Sequence, residues 1–260
     1  MSTAVERAAR LRALHVPGTP LVLPNAWDAA TARAVVAAGF PAVATASAAM
    51  APALGYDDSE GTPPDEVFAA VARIARAVDV PVTADVERGY RLAAAEIGAR
   101  LVAAGAVGCN LEDSDASTGE LVPVEEQAEL LAGVRAAAPD VVINARVDAF
   151  LHGSGSREDR LAEAVRRGRA YAEAGADCVY PLVVDRLDLA EVRKLVEAIG
   201  VPVNLAFLPG GPSLGELAEA GVARVSYGPG LFRVLQGHLE AALAAIAAGG
   251  SPYPGGPGPA

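Results

Sequence analysis

Ala104-Gly105-Ala106-Val107-Gly108-Cys109-Asn110-Leu111-Glu112-Asp113 decides the fold. It holds the end of a helix, a turn, a strand and the polar residues at that strand's tip. A glycine just past the last helical turn takes the left-handed conformation that ends the helix, so Ala104-Gly105 marks a helix C-terminus. The run that follows is short and apolar, the pattern of a fully buried strand. Working outward, the same beat recurs. Ala38-Gly39, Ala174-Gly175 and Ala220-Gly221 lead into similar runs, and eight runs are found in all, at 21–26, 41–46, 81–87, 107–113, 141–148, 178–184, 201–207 and 223–228. Their spacing averages about 29 residues, the length of one strand–helix unit. Eight parallel strands alternating with helices predict an α/β fold, a single (β/α)₈ TIM barrel, with its chemistry at the carboxyl ends of the strands.

The 260 residues suffice for one such barrel and leave no room for a second sizeable domain. The barrel is read over residues 1–248, ending in an amphipathic, alanine-rich helix at 231–247. The Gly/Pro-rich stretch 249–260 is read as a disordered tail. A net charge of −11 argues against nucleic acid and acidic membrane surfaces as partners. Met1 to Arg10 is polar and charged, unlike a signal peptide, and no window reaches the roughly 18 apolar residues of a spanning helix. Cys109 and Cys178 form neither a disulfide framework nor a zinc spacing, which favours a reduced, cytoplasmic setting.

Strand alternation then sorts the polar residues. In the third run Asp85 and Glu87 share a face. In the fourth Asn110 and Glu112 share one, with Cys109 and Leu111 opposite. In the fifth Asn144, Arg146 and Asp148 share one. Three neighbouring strands thus aim acids, amides and one arginine at a single mouth. Buried ionised groups cost on the order of several kcal/mol each unless paired or metal-bound. Several acids beside one arginine leave surplus negative charge, and a divalent cation offsets it. Carboxylate oxygens with water suit the hard ions Mg²⁺ or Mn²⁺. The plainer alternative is a salt-bridge layer that caps the barrel.

Four stretches, in order and on the expected strands, give the chain a resemblance. They are Leu23-Pro24-Asn25-Ala26-Trp27-Asp28, Ala84-Asp85-Val86-Glu87-Arg88-Gly89-Tyr90, Asn110-Leu111-Glu112-Asp113-Ser114 and Asn144-Ala145-Arg146-Val147-Asp148-Ala149-Phe150. With them the chain resembles the isocitrate lyase/phosphoenolpyruvate mutase superfamily from about residue 21 to about residue 237. The resemblance implies an Mg²⁺-dependent barrel that acts on small 2-keto or 2-hydroxy carboxylates through an enolate. It implies that Asp85, Glu87 and Glu112 hold the metal, directly or through water, with Asp58 as a further acid and Asp57 as its rival. It implies that Arg146 grips the substrate carboxylate and enolate oxygen, and that Ser47 and Asn204 orient carboxylates. Trp27 is read as a substrate wall or as simple core. A homo-oligomer, dimer or tetramer, is implied as well.

One segment departs from the pattern. Lyase members carry a Lys-(Lys/Arg)-Cys-Gly-His motif after the fourth strand, and phosphomutases a Lys-Thr-Asn-like stretch. Here residues 115–123 read Asp-Ala-Ser-Thr-Gly-Glu-Leu-Val-Pro, without cysteine, lysine, histidine or arginine. Tyr90, Tyr180, Ser117 or a metal-bound water remain as proton sources, and Ser117, Thr118 and Gly119 as a lid or a plain surface loop. The expected reaction is C–C bond cleavage, decarboxylation or hydrolysis of an oxaloacetate-like acid. The alternatives are C–P bond chemistry on phosphonopyruvate or carboxyphosphoenolpyruvate, and a carboxylate-binding barrel without turnover. Asp28 is read as a helix N-cap, His152 as a rim histidine and the charged run 157–169 as a solvated helix face.

Overall fold

The computed structural model describes residues 3–185 and 188–253. Most of the expected tail, 254–260, lies outside the described residues. Among the described residues nine strands follow in chain order: β1 (Leu21–Leu23), β2 (Asn25–Ala26), β3 (Val43–Thr45), β4 (Val82–Asp85), β5 (Gly108–Leu111), β6 (Val142–Val147), β7 (Cys178–Pro181), β8 (Asn204–Ala206) and β9 (Arg224–Ser226). β1 and β2 are one barrel strand broken at Pro24, which has no N–H for the ladder. All pairings between strands are parallel: β2 through β7 form one sheet in sequence order, and β8, β9 and β1 form the other. A parallel bridge from Val179 to Val203 joins β7 to β8, so the ring closes and the expected barrel is present.

Helices α2 (Ala29–Ala37), α4 (Pro64–Ala77), α5 (Ala94–Ala104), α6 (Val124–Ala137), α8 (Arg157–Glu173), α9 (Leu189–Ile199) and α10 (Leu214–Glu219) occupy the crossovers. Gly105 ends α5 at φ 78°, in the left-handed conformation that only glycine takes at little cost. Helix α1 (Ala4–Ala13) closes the floor, where Ala8 and Leu11 pack on Leu21, Leu23, Ala42 and Val142. The short α3 (Ser47–Leu54) and α7 (Ala149–His152) follow β3 and β6 at the mouth. The last helix, α11 (Gly230–Ala247), buries none of its residues. No helix among the described residues is long and apolar enough to cross a membrane.

The strands are shorter than the sequence runs because the polar residues at their tips have left the ladder. Glu87, for example, sits at φ 50°. Asp28 caps α2 by accepting from the Thr31 N–H at 2.7 Å, as expected of an N-cap. The charged run of α8 is not simply a solvated face. Arg167 lies on its inner side one turn before Tyr171, and both are buried.

Candidate active site

Parallel register carries the sequence pattern into space. Asp85 is opposite Asn110, Asn110 opposite Asn144, and Arg146 opposite Tyr180, so these side chains line the inside of the ring. The acids expected to meet at the mouth do meet there.

Asp85 is fixed at the end of β4. Its N–H donates to Thr45 Oγ1 at 2.8 Å, and its Oδ2 accepts from the Ser47 N–H at 2.9 Å, the first residue of α3. A carboxylate at a helix N-terminus meets the positive end of the macrodipole. Even so, burial pushes the Asp85 carboxyl above its usual range. The Ser47 N–H and the Arg146 charge oppose this, while Asp58 adds to it. Ser47 therefore spends its amide on Asp85.

Glu87 is buried. It accepts from the Glu60 N–H at 2.5 Å and from the Tyr90 hydroxyl at 3.0 Å. Burial, then repulsion from Asp58 and Asp85, lifts its carboxyl to about 7. Asp58, not Asp57, is the acid felt by both Asp85 and Glu87. Positive φ at Ser59, Glu60, Glu87, Tyr90 and Arg91 marks two strained turns that grip each other, since the Tyr90 N–H donates to Glu60 at 2.6 Å. Non-glycine residues hold such angles only where their surroundings over-determine them.

Glu112 pairs with Arg146 Nη1. Burial lifts its carboxyl well above the usual range; Arg146 opposes this, and Asp148, Asp85 and Glu87 reinforce it. The fork of Arg146 meets Asp148 twice, Nε to Oδ1 at 2.7 Å and Nη2 to Oδ2 at 3.0 Å. The acids thus repel one another around a single guanidinium. Among the described residues no three His, Cys, Asp or Glu side chains form a ready metal cage. That donor set still suits Mg²⁺, which takes one or two carboxylates and keeps its waters.

Two expected residues are not brought to this cluster. Asn204 opens β8, wholly buried, and exchanges weak hydrogen bonds with Ser226 at 3.4 Å below the mouth. Trp27 packs edge-to-face on Phe232 of α11, 5.1 Å between ring centres, and lines an apolar groove of about 410 Å³ with Pro24, Phe40, Tyr227 and Leu231. His152 is exposed beside Glu120, Asp159 and Glu163, away from the acids. Cys109 and Cys178 are buried thiols pushed up to about 12, so neither is a nucleophile or acid.

The departing segment forms a closed hairpin. Ser114 and Leu121 bridge, the Asp115 N–H donates to the Glu120 carbonyl at 2.8 Å, and Asp115 Oδ1 accepts from the Ser117 N–H at 2.7 Å. Its polar groups are satisfied within the turn. Ser117 is exposed and tied to Asp115, so of the three side chains expected as proton sources Tyr90 and Tyr180 are the buried ones. Tyr180 is pushed up to about 12 by burial and so keeps its proton.

Sequence reasoning passed over one interior residue. Arg224 stands in the apolar run of β9, wholly buried, and donates from Nη2 to Asn110 Oδ1 at 3.2 Å. Asn144 donates to the same oxygen at 2.8 Å. Nε and Nη1 of Arg224 have no partner among the described residues. The only clue in the sequence was an arginine two residues before Ser226 on the inward face.

Comparison with known proteins adds a frame. A family model describing phosphoenolpyruvate phosphomutase matches residues 11–247. A solved structure of a proposed phosphonomutase from Burkholderia cenocepacia J2315 is 43% identical, with a TM-score of 0.87, and the match covers 92% of this chain and 99% of that one. A 2-methylisocitrate lyase of Bacillus subtilis is 29% identical over 211 residues, 78% of this chain and 67% of the relative. A phosphonopyruvate hydrolase solved with oxalate and Mg²⁺ is 28% identical at a TM-score of 0.83, covering 94% of this chain and 88% of that one.

Proposed function

The chain belongs to the phosphoenolpyruvate mutase/isocitrate lyase superfamily, and from that premise we propose that it is an Mg²⁺-dependent enzyme that passes a small 2-keto or 2-hydroxy carboxylate through an enolate. The reaction is C–C bond cleavage, decarboxylation or hydrolysis of an oxaloacetate-like acid. One observation carries the reading: Arg146 stands between Glu112 and Asp148 at the rim where Asp85 and Glu87 converge.

Asp85, Glu87 and Glu112, with Asp58, would hold Mg²⁺ or Mn²⁺, directly or through water. When bound, the cation supplies positive charge next to the developing enolate oxygen. Arg146 binds the substrate carboxylate by its planar fork, which lysine cannot reproduce. The incoming carboxylate replaces Glu112 on Nη1, while Asp148 keeps the other edge in place. Ser47 aims Asp85 and leaves its free oxygen toward the mouth. Tyr180, opposite Arg146, is the protonated hydroxyl set to donate to the enolate carbon.

The hairpin 115–122 carries neither the cysteine of the ordinary isocitrate and methylisocitrate lyases nor a cation for a phosphoryl group, so it speaks against both of those reactions. The likeness to a proposed phosphonomutase keeps C–P cleavage as the second reading. The exposed Leu235, Leu239 and Leu243 of α11 support a homo-oligomer. The test is incubation with oxaloacetate, 2-methylisocitrate or phosphonopyruvate, with and without Mg²⁺, read by proton and phosphorus NMR. Mg²⁺-dependent C–C cleavage of a keto or hydroxy acid is expected. Phosphate release from phosphonopyruvate without any C–C cleavage overturns the carbon reading. Tight oxalate binding without turnover of any compound leaves a carboxylate-binding barrel.

A further inference from the structure

Arg146 is the inner end of a ladder of alternating charge that reaches the outer helix α8. Asp148, its partner, is wholly buried. It precedes α7 in the N-cap position, yet its side chain makes no cap hydrogen bond. It turns inward instead, taking the Arg146 fork on both oxygens and the Ser114 hydroxyl on Oδ2 at 2.7 Å. The Asp148 N–H donates to Asp113 Oδ1 at 2.8 Å. Asp113 is also wholly buried, and its Oδ2 accepts from Arg167 Nη1 at 3.0 Å and from the Tyr171 hydroxyl at 2.7 Å. Arg167 then gives Nε to Glu163 at 2.7 Å.

Two neighbouring aspartates buried without counter-charge repel, and one of them would take a proton or move. Arg167 offsets that repulsion on one side and Arg146 on the other. Buried ion pairs of this kind are poor stabilisers, because desolvation cancels most of their attraction. An apolar contact between α8 and the barrel would hold the helix as well. What the ladder does supply is direction. Asp113 fixes the Asp148 backbone, and that fixes the carboxylate on which the Arg146 fork rests.

We propose that Arg167 is a positioning residue for Arg146, acting through Asp113 and Asp148, with Tyr171 as its aid. This rests on reading Arg146 as the residue that binds the substrate carboxylate. Its loss loosens the guanidinium and weakens carboxylate binding, while the acids at the ends of β4 and β5 keep their affinity for the cation.

The test is calorimetric titration of the full-length protein. Mg²⁺ alone is titrated first, then oxalate, an enolate mimic, in excess Mg²⁺. Arg167→Met is expected to weaken oxalate at least tenfold and leave the Mg²⁺ affinity within twofold, with a native circular dichroism spectrum. Arg167→Lys restores charge without the fork and is expected to recover part of the loss, to about threefold below wild type. Tyr171→Phe keeps the packing, removes one donor to Asp113 and is expected to cost two- to threefold. A folded Arg167→Met that binds oxalate as wild type does overturns the proposal. If Arg167→Met does not fold, unchanged oxalate binding in both Arg167→Lys and Tyr171→Phe overturns it equally. A wild type that binds no oxalate overturns the functional reading and takes this inference with it. A wild type that binds, with Arg146→Lys impaired and the α8 variants unaffected, overturns this inference alone.

Discussion

Arg146, at the end of β6, touches three carboxylate oxygens, whereas Arg224, at the start of β9, touches none among the described residues. Both lie inside the same barrel and are held by neighbours in parallel register. At the rim, charge meets charge, and burial first, then repulsion from neighbouring acids, lifts Glu87 and Glu112. On the floor, a guanidinium rests on an amide oxygen shared with Asn144, and burial pulls its proton affinity down. Of the rim arginine's two partners, Glu112 is the one that an incoming carboxylate would replace, while Asp148 keeps its hold on the fork. The floor arginine has no such partner to exchange, and its field reaches Asp85 from below. An arginine built for ligand exchange is thus recognised by the acids around it, not by burial.

The harshest test of that contrast is Arg146→Lys. Lysine keeps the charge and loses the fork, so turnover is expected to fall about 10²- to 10³-fold. Arg146→Met goes further: it strands Glu112 and Asp148 and is expected to cost about 3–5 kcal/mol in urea unfolding. Turnover by Arg146→Lys within a few-fold of wild type would erase the distinction between the two arginines.

The next test addresses the acid surplus at the rim. The folded carboxyl of Glu87 titrates at about 7, against 4.5 for the unfolded chain. Between those values the folded state holds a proton that the unfolded chain has lost. Stability is therefore full below about pH 4.5 and falls as pH rises to about 7, by roughly 3 kcal/mol if the whole shift is expressed. Excess Mg²⁺ binds the ionised carboxylates and flattens the fall. Urea midpoints between about pH 5 and pH 8, with and without Mg²⁺, check this, and Glu87→Gln is expected to make the slope shallower while the raised Asp85 and Glu112 carboxyls keep part of it. A metal-free protein whose stability rises over that range would show that the rim carries no excess of acid.

Why was one arginine legible in the sequence and the other not? Alternation with period two assigns faces without knowledge of the fold, and parallel register then stacks Asp85, Asn110 and Asn144 side by side. Arg146 comes with one acid, Asp148, two residues away on its own face, so part of its environment is written locally. Arg224 stands between Ala223 and Val225, and only the closed ring brings Asn110 to it from 114 residues away. Arg167 hid for the same reason, because a helical charge is solvated or buried according to its tertiary neighbour, here Asp113. The barrel itself was plain from the Ala-Gly beats, since a left-handed helix stop is a local requirement. Asn204 lay on an expected strand and Trp27 just past one, but position along the strand alone did not say whether a side chain reaches the mouth. The choice between Asp57 and Asp58 needed the backbone of the loop after α3.

Arg224→Met probes the floor directly. With no acid left stranded, the variant is expected to keep its stability or gain about 1–2 kcal/mol, since an uncompensated buried charge is replaced by a side chain of similar length. Turnover is expected to fall only a few-fold, through the lost field at Asp85. A fall in urea midpoint as large as that of Arg146→Met would mean that the floor arginine has a counter-charge of its own.

The smallest effect is expected from Ser114→Ala, and it asks what holds the rim arginine. The Ser114 hydroxyl donates to the same Asp148 oxygen that receives Nη2 of Arg146. Removing it frees a lone pair of that oxygen without stranding a charge, so the stability cost is about 1 kcal/mol, that of one buried hydrogen bond. The Asp148 carboxylate still faces two guanidinium nitrogens, and its backbone is still tied to Asp113. The KM for the carboxylate substrate is therefore expected to rise less than threefold, with kcat unchanged. A loss comparable to that of Arg146→Lys would show that a single neutral hydroxyl, and not the opposing charges, sets the angle of the fork. The contrast between rim and floor would then be one of orientation, since both arginines would hang on neutral donors and acceptors.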